Sequence, residues 1–566
     1  METDHGWSPG LVSSPTLNST PLFKNYLSEK INLNQNHLST LLIHNAHILS
    51  FHNGFDNELC DTLVVNGTTI EAVGKYEDLK KLIKSDTEII DAQGKTIMPG
   101  FNDSHIHIWK VGNLKTFMLD VRGVNSKEEL LQLLSIYNKQ NPHLKWITAR
   151  GFNEAAWEDK SIPTKIDLDE VSISKPIYLI RTCAHIAVCN SKALEIAEIN
   201  TQTKVPEGGT INKGADNNPN GIITETALGL VAHKIPPYSK EDLKIMIRAC
   251  RNEMYSYGIT AATDPAADPL LIEAYKEMNE AGELGFRLNI LPIILPDGSS
   301  EAYPIPEVYS SNFLNINTVK FFADGGLSGQ TAALKRTYKN SAEQGVLRLN
   351  KPQYVALCIQ CMLKGLGVAT HAIGDAAIEM VIEVYKELNK EYPSLIKRIE
   401  HLGLPEKKHL ETMATNNIAC NMQTIFLDEL GKNFIQYLDD VYLEQCYPLR
   451  AVIDHNILMA LSSDAPVVKN LNPFKGISAA ISRQTDTGIA IARHQNITIT
   501  EALKAYTINA AKISNETRYG SLEKGKLADF ILLNKNPLFM QANNFDSIKV
   551  ISTYINGKEV WSNLPG

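Results

Sequence analysis

Disulfide frameworks, membrane spans and basic surfaces are all missing from this chain of 566 residues. Its eight cysteines are scattered at 60, 183, 189, 250, 358, 361, 420 and 446, with no spacing that reads as a disulfide framework. Reduced thiols predict a cytoplasmic protein. Cys358 and Cys361 form a Cys-X-X-Cys, but they fall in the amphipathic run Tyr354-Val355-Ala356-Leu357-Cys358-Ile359-Gln360-Cys361, where core packing is the simpler reading. No uninterrupted apolar stretch approaches the ~20 residues of a membrane span. The opening Met1-Glu2-Thr3-Asp4-His5 has no apolar core, which reads against a secretory signal. A net charge of -8 over this length excludes a nucleic-acid or anionic-membrane footprint. The balance of 43% hydrophobic and 21% charged residues is that of a large globular enzyme.

What is present is a series of apolar runs that end in residues able to hold a metal. Met98-Pro99-Gly100-Phe101-Asn102-Asp103-Ser104-His105-Ile106-His107 comes first. Alternate side chains of a strand point the same way, so His105 and His107 can grip one cation. Downstream, Lys320 lies inside Thr318-Val319-Lys320-Phe321-Phe322, and His371 ends Gly367-Val368-Ala369-Thr370-His371. His401 ends Arg398-Ile399-Glu400-His401, and Asp464 ends Ile457-Leu458-Met459-Ala460-Leu461-Ser462-Ser463-Asp464. Gly or Pro follows each run, and then a helical pattern. With the strand-like segments 258–264, 286–293 and 417–423, the runs make eight strand–helix units. That predicts a (β/α)8 barrel of the TIM type, with functional groups at the C-terminal ends of its strands.

Short strands at 41–49, 61–67 and 70–74 are mirrored near the other terminus by 529–533 and 550–560. Neither group closes a domain alone. The expected plan is therefore a poorly structured tail over 1–40 and a composite β-sandwich from 41–98 and 520–566. The barrel takes 99–110 and 245–519, and residues 111–244 are far too many for a loop, so they predict an inserted domain over the barrel mouth.

Together these motifs resemble the amidohydrolase superfamily over roughly residues 40–562, within it the branch of N-substituted formamide deformylase and the YtcJ-like proteins. Supporting phrases are Arg150-Gly151-Phe152-Asn153-Glu154, Asn190-Ser191-Lys192-Ala193-Leu194, Val319-Lys320-Phe321-Phe322-Ala323-Asp324-Gly325 and Ser463-Asp464-Ala465-Pro466. Cys183-Ala184-His185 stands where the branch carries Asp-Gly-His. The resemblance implies His105, His107, Lys320, His371, His401 and Asp464 as ligands of two divalent metals, expected to be zinc, bridged by a carboxylated Lys320. It further implies hydrolysis of a small non-peptide amide, such as an N-substituted formamide, by a metal-bound hydroxide, with Asp464 as general base and then acid.

Arg181, His185, Phe152 and Asp324 are the expected substrate contacts, although Asp324 and Asp375 also suit loop positions that bond backbone amides. A deaminase or an ester or lactone hydrolase is the alternative. A non-catalytic binding protein would need a broken ligand set, and this one is intact. The expected partner is a small molecule, with no nucleic acid and no membrane, and a homodimer is allowed.

Overall fold

The structure, a computed structural model, describes residues 40–52, 60–182, 186–206, 209–296 and 299–563. It divides into two compact units, Trp109–Cys250 and the rest of the described chain, residues 40–108 and 251–563. No helix among the described residues is long and apolar enough to cross a membrane.

In the larger unit, parallel strands alternate with helices. One sheet pairs Phe101–Asp103 with Ile259–Ala267, and Ile259–Ala267 with Arg287–Pro292. Arg287–Pro292 pairs in turn with Leu314–Ile316, which also takes an antiparallel hairpin partner, Tyr309–Ser310. A second sheet orders Thr318–Phe322, Gly367–Ala372, Lys397–His401, Ala419–Met422 and Met459–Leu461, all parallel. Leu314–Ile316 and Thr318–Phe322 are separated by Asn317 alone, so this segment of the chain belongs partly to each sheet. A single bridge, Ile293 to Lys320, crosses between the sheets there. At the opposite edges the Asp464 N–H donates to the His105 carbonyl at 2.8 Å, and the His107 N–H to the Ala465 carbonyl at 2.9 Å.

The covering helices carry readable signals. Asp268 caps Pro269–Glu280 by accepting from the Leu271 N–H, with Pro269 in the first turn. Asp375–Glu391 buries Ile378, Val381, Ile382, Tyr385 and Leu388, a stripe of helical period facing the core. Burying each such side chain stabilises the fold by roughly 1.5–3 kcal/mol.

Two further sheets come from the chain's ends. Thr40–His44, Thr62–Asn66, Thr69–Gly74 and Glu88–Asp91 make one. The other joins His47–Ile48 and Thr96–Pro99 to Phe530–Leu533, Val550–Ile555 and Lys558–Ser562. Both feed one apolar core that includes Leu41, Leu63, Ile97, Phe530 and Tyr554. Arg287 ties the foot of its parallel strand to this region through two hydrogen bonds to Asp529, at 2.8 and 2.9 Å.

The unit Trp109–Cys250 has a six-stranded sheet of its own, in the order Thr210–Lys213, Pro219–Thr224, Ile186–Cys189, Ile177–Arg181, Ile147–Phe152, Met118–Asp120. Its apolar residues form two clusters, one around Leu130, Phe152 and Leu179 and one around Tyr178, Ala193 and Val231.

Candidate active site

His105, His107 and Asp464 converge just beyond the ends of strands at opposite edges of the two parallel sheets. The Nε2 atoms of His105 and His107 lie 3.5 and 3.3 Å from Asp464 Oδ1, and all three residues are buried. His401 stands next to them, its ring centroid 4.9 Å from that of His105 and 4.4 Å from that of His371. Backbone geometry makes this possible. In a regular strand His401 would face away from Glu400, yet positive φ values at His401 (77°) and Leu402 (45°) break the alternation, so both side chains reach His105. Asp464 is likewise left-handed, with φ of 57°. Such backbone costs of order 1–3 kcal/mol and persists only where its surroundings hold it.

Each imidazole has a partner on one nitrogen. His105 Nδ1 donates to Glu400 Oε2 at 2.5 Å, which leaves Nε2 with its lone pair directed at the Asp464 side. His401 Nδ1 donates to Gln423 Oε1 at 2.6 Å, and the Gln423 amide nitrogen donates to Ser462 Oγ. His371 Nε2 donates to the Gly325 carbonyl at 3.1 Å. The proton positions follow from the partners being acceptors only.

Lys320 is wholly buried, and its Nζ has no hydrogen-bond partner among the described residues. It lies 4.8 Å from the centre of the Phe322 ring. Burial lowers its ammonium to about 8, although Glu400 and Asp464 pull the other way. Burial would raise the Asp464 carboxyl, but the nearby imidazoles of His105, His107 and His401 outweigh it and bring it down to about 2. Burial also drives His401 down to about 3 and His371 well below the usual imidazole range. His371 and His401 are therefore neutral, and the Asp464 carboxylate is ionised. Asp464 Oδ1 and Lys320 Nζ are left without hydrogen-bond partners.

A buried donor set with unsatisfied atoms facing inward is what a divalent cation requires. A match to the amidohydrolase family model spans residues 88–561. The chain belongs to the amidohydrolase family. It is a hydrolase acting on carbon–nitrogen bonds. Among its relatives is the putative amidohydrolase YtcJ of Bacillus subtilis (strain 168), 28% identical over 531 residues, covering 90% of this chain and 99% of that protein. The N-substituted formamide deformylase of Arthrobacter pascens is 24% identical over 520 residues, covering 88% and 95%. The crystal structure of an uncharacterized metal-dependent hydrolase from Pyrococcus horikoshii OT3 superposes with a TM-score of 0.75, at 24% identity, over 89% of this chain and 99% of that one.

The expected substrate contacts of this amidohydrolase fare differently. Phe152 is fully buried in the apolar core around Leu130 and Leu179, where it packs against Trp157. Asp324 is also fully buried. Its carboxylate accepts the N–H groups of Ala333, Ile373 and Gly374 at 2.9, 3.0 and 2.8 Å, so it staples two loops together. Gly374 is obligatory in that staple, because a Cβ there would stand 2.0 Å from the Ala333 carbonyl oxygen. Burial pushes the Asp324 carboxyl up to about 7, against the pull of those amides. Asp375 plays a similar part, accepting from the Lys335 N–H and the Tyr442 hydroxyl. Arg181 forms an ion pair with Glu154 at 2.8 Å. His185 lies outside the described residues.

The motif reading passed over Glu400, Arg398, Asn421 and Gln423. All four are fully buried. Arg398 and Glu400 stand two apart in a strand whose remaining neighbours are buried, and a charge pair at that spacing was the available signal.

Proposed function

We propose that this amidohydrolase cleaves the amide bond of a small non-peptide molecule, an N-substituted formamide or a close analogue, at the centre formed by His105, His107, Lys320, His371, His401 and Asp464. The observation that carries the reading is the buried convergence of His105, His107 and Asp464 with an unpartnered Lys320 amine. The deformylase relative, aligned over nearly the whole chain, supports the choice of substrate class.

His105, His107 and Asp464 would hold one divalent ion, zinc by donor type, and His371 and His401 a second. Lys320 is proposed to join them after its neutral amine adds to carbon dioxide, forming a nitrogen–carbon bond and releasing one proton. The resulting carbamate would supply anionic oxygen donors to the ions, and the lowered Lys320 value favours the neutral amine this requires. Bound there, the ions would bring the pKa of a water ligand to roughly 7 and polarise a carbonyl. Asp464, ionised at neutral pH, accepts the proton of the attacking water and returns it to the departing amine nitrogen. Half-buried Phe322 packs against His371, and buried Phe426 stacks on His401, which gives the centre an apolar flank.

We also infer that the eight parallel strands close into a (β/α)8 barrel. The Ile293–Lys320 bridge and the backbone bonds between 105–107 and 464–465 support closure on both sides. The two sheets sharing the core around Leu41 and Phe530 would form the small β-sandwich. The free cysteines, most of them buried, fit a reducing compartment such as the cytosol.

The test is elemental analysis followed by a panel of N-substituted formamides, other amides, esters and amino-heterocycles. Two zinc ions per chain and selective formamide cleavage are expected. One tightly held ion at full activity removes the binuclear centre and demotes Lys320. Turnover of esters or amino-heterocycles alone overturns the amide assignment.

A further inference from the structure

Glu400 belongs to a network of buried polar groups that reaches His105. Its Oε2 accepts from His105 Nδ1 at 2.5 Å and from Asn421 Nδ2 at 3.1 Å. Its Oε1 accepts from Arg398 Nε, and Arg398 also donates to the Ser104 carbonyl at 3.1 Å. Asn421 in turn accepts from Ser104 Oγ at 2.8 Å and donates to the Ser104 carbonyl at 3.2 Å. Arg398, Glu400, Asn421 and Ser104 are each at most 1% exposed on their side chains or as whole residues. An ion pair taken fully out of water is expensive to keep, and simple packing would fill the space with apolar residues at less cost.

Two of the other imidazoles at the centre rest on neutral acceptors. His401 leans on the neutral amide of Gln423 and His371 on the backbone carbonyl of Gly325. A carboxylate behind an imidazole fixes the tautomer and the ring plane and makes the far nitrogen more basic, which a neutral acceptor does less well. Resting on the metal reading given under Proposed function, we propose that Glu400 is a positioning residue: locked by Arg398 and Asn421, it holds His105 as the Nδ1–H tautomer with Nε2 presented to the ion shared with His107 and Asp464, and so sets how tightly that ion is kept. Glu400 touches neither the ion nor the substrate. It acts through His105 alone.

The experiment strips the full-length protein of metal and measures zinc uptake by competition with a chromophoric chelator. Glu400→Gln keeps the side chain's shape and an acceptor for Nδ1 but removes the charge. The expected result is zinc affinity lower by about 10- to 100-fold than in the wild type, with an altered visible spectrum for the cobalt(II)-loaded protein. A role in folding alone would lower thermal stability and leave zinc affinity and the cobalt spectrum of the folded protein unchanged, and that result overturns the proposal.

Because Glu400→Gln leaves Arg398 buried without its partner, the double variant Arg398→Met/Glu400→Gln removes both charges together and must show the same weakening. The wild type supplies an independent check. Its proton spectrum must contain a downfield exchangeable imidazole resonance that disappears in His105→Ala, and its absence also overturns the assignment. If the stripped wild type takes up no zinc at all, the metal reading itself fails. If it takes up zinc and the variants match it, only the role of Glu400 falls.

Discussion

Two clusters in the larger unit contain the same kinds of side chain and differ in almost everything else. His105, His107 and Asp464 bring three donor atoms into one small volume, and so do Glu379, Glu406 and His409. In the second cluster the charge is already answered. Lys335 lies 3.0 Å from Glu379 and 2.8 Å from Glu406, and Lys408 contacts both carboxylates as well. His409 Nδ1 accepts the Glu406 N–H at 3.1 Å, so the ring's lone pair is occupied capping a helix. Glu379 remains 35% exposed. The first cluster is almost wholly buried, and neither its carboxylate oxygen Oδ1 nor the Lys320 Nζ makes a hydrogen bond. Proximity of acids and histidines does not make a metal site. An uncompensated donor set that is almost wholly buried does.

The sharpest way to break the contrast is at Asp464. Asp464→Asn keeps the size but removes both the proton acceptor and the anionic donor. Turnover on any substrate found should fall by about 10²- to 10⁴-fold, the range typical of a lost general base. Steady-state kinetics on the zinc-loaded variant measure this. Near-normal turnover would move proton transfer to another group.

A second measurement compares the clusters directly by metal-linked stability. Adding zinc to the stripped wild type at about 100 times its Kd should stabilise it by roughly 2.7 kcal/mol. His107→Ala should lose most of that gain, whereas Glu406→Gln should keep all of it. Thermal unfolding with and without zinc gives the answer. Equal losses in the two variants would mean that the second cluster also holds an ion.

These contrasts bear on what the chain's letters disclose. His105, His107, Lys320, His371, His401 and Asp464 were each visible as the end of, or an interruption in, an apolar run closed by Gly or Pro, because strand ends have a compositional edge. Most of the parallel strands were legible for the same reason, whereas short strands without an apolar run, such as Leu314–Ile316 and Thr210–Lys213, were not. The Arg398–Glu400 spacing marked a buried charge pair, but which histidines Glu400 and Gln423 support depends on contacts with His105, 295 residues away, and with His401 through a kinked strand end. Phe152 and Asp324 looked like site residues because they lie inside family phrases. Burial shows that those phrases also encode packing and loop stapling. A motif marks a neighbourhood, and only contacts assign the job.

The smallest expected effect belongs to the second cluster. The hydrogen bond from Lys408, aided by Lys335, holds the Glu379 carboxyl down at about 2, against a burial effect that would raise it. Its folded value therefore lies below its unfolded value of about 4.3. The unfolded chain binds the proton more readily between those two values, so the stabilisation is present above about pH 4.3 and is lost as the pH falls toward 2. Because the group is 35% exposed, solvent screening limits the effect to no more than about 1 kcal/mol. Glu379→Gln should therefore flatten the fall in stability over that pH window by this small amount, with zinc content and turnover at neutral pH unchanged. Denaturant unfolding of wild type and variant at pH 5 and pH 3 compares them. If the variant instead loses zinc, the lysines do not neutralise this cluster, and the distinction between the two sites collapses.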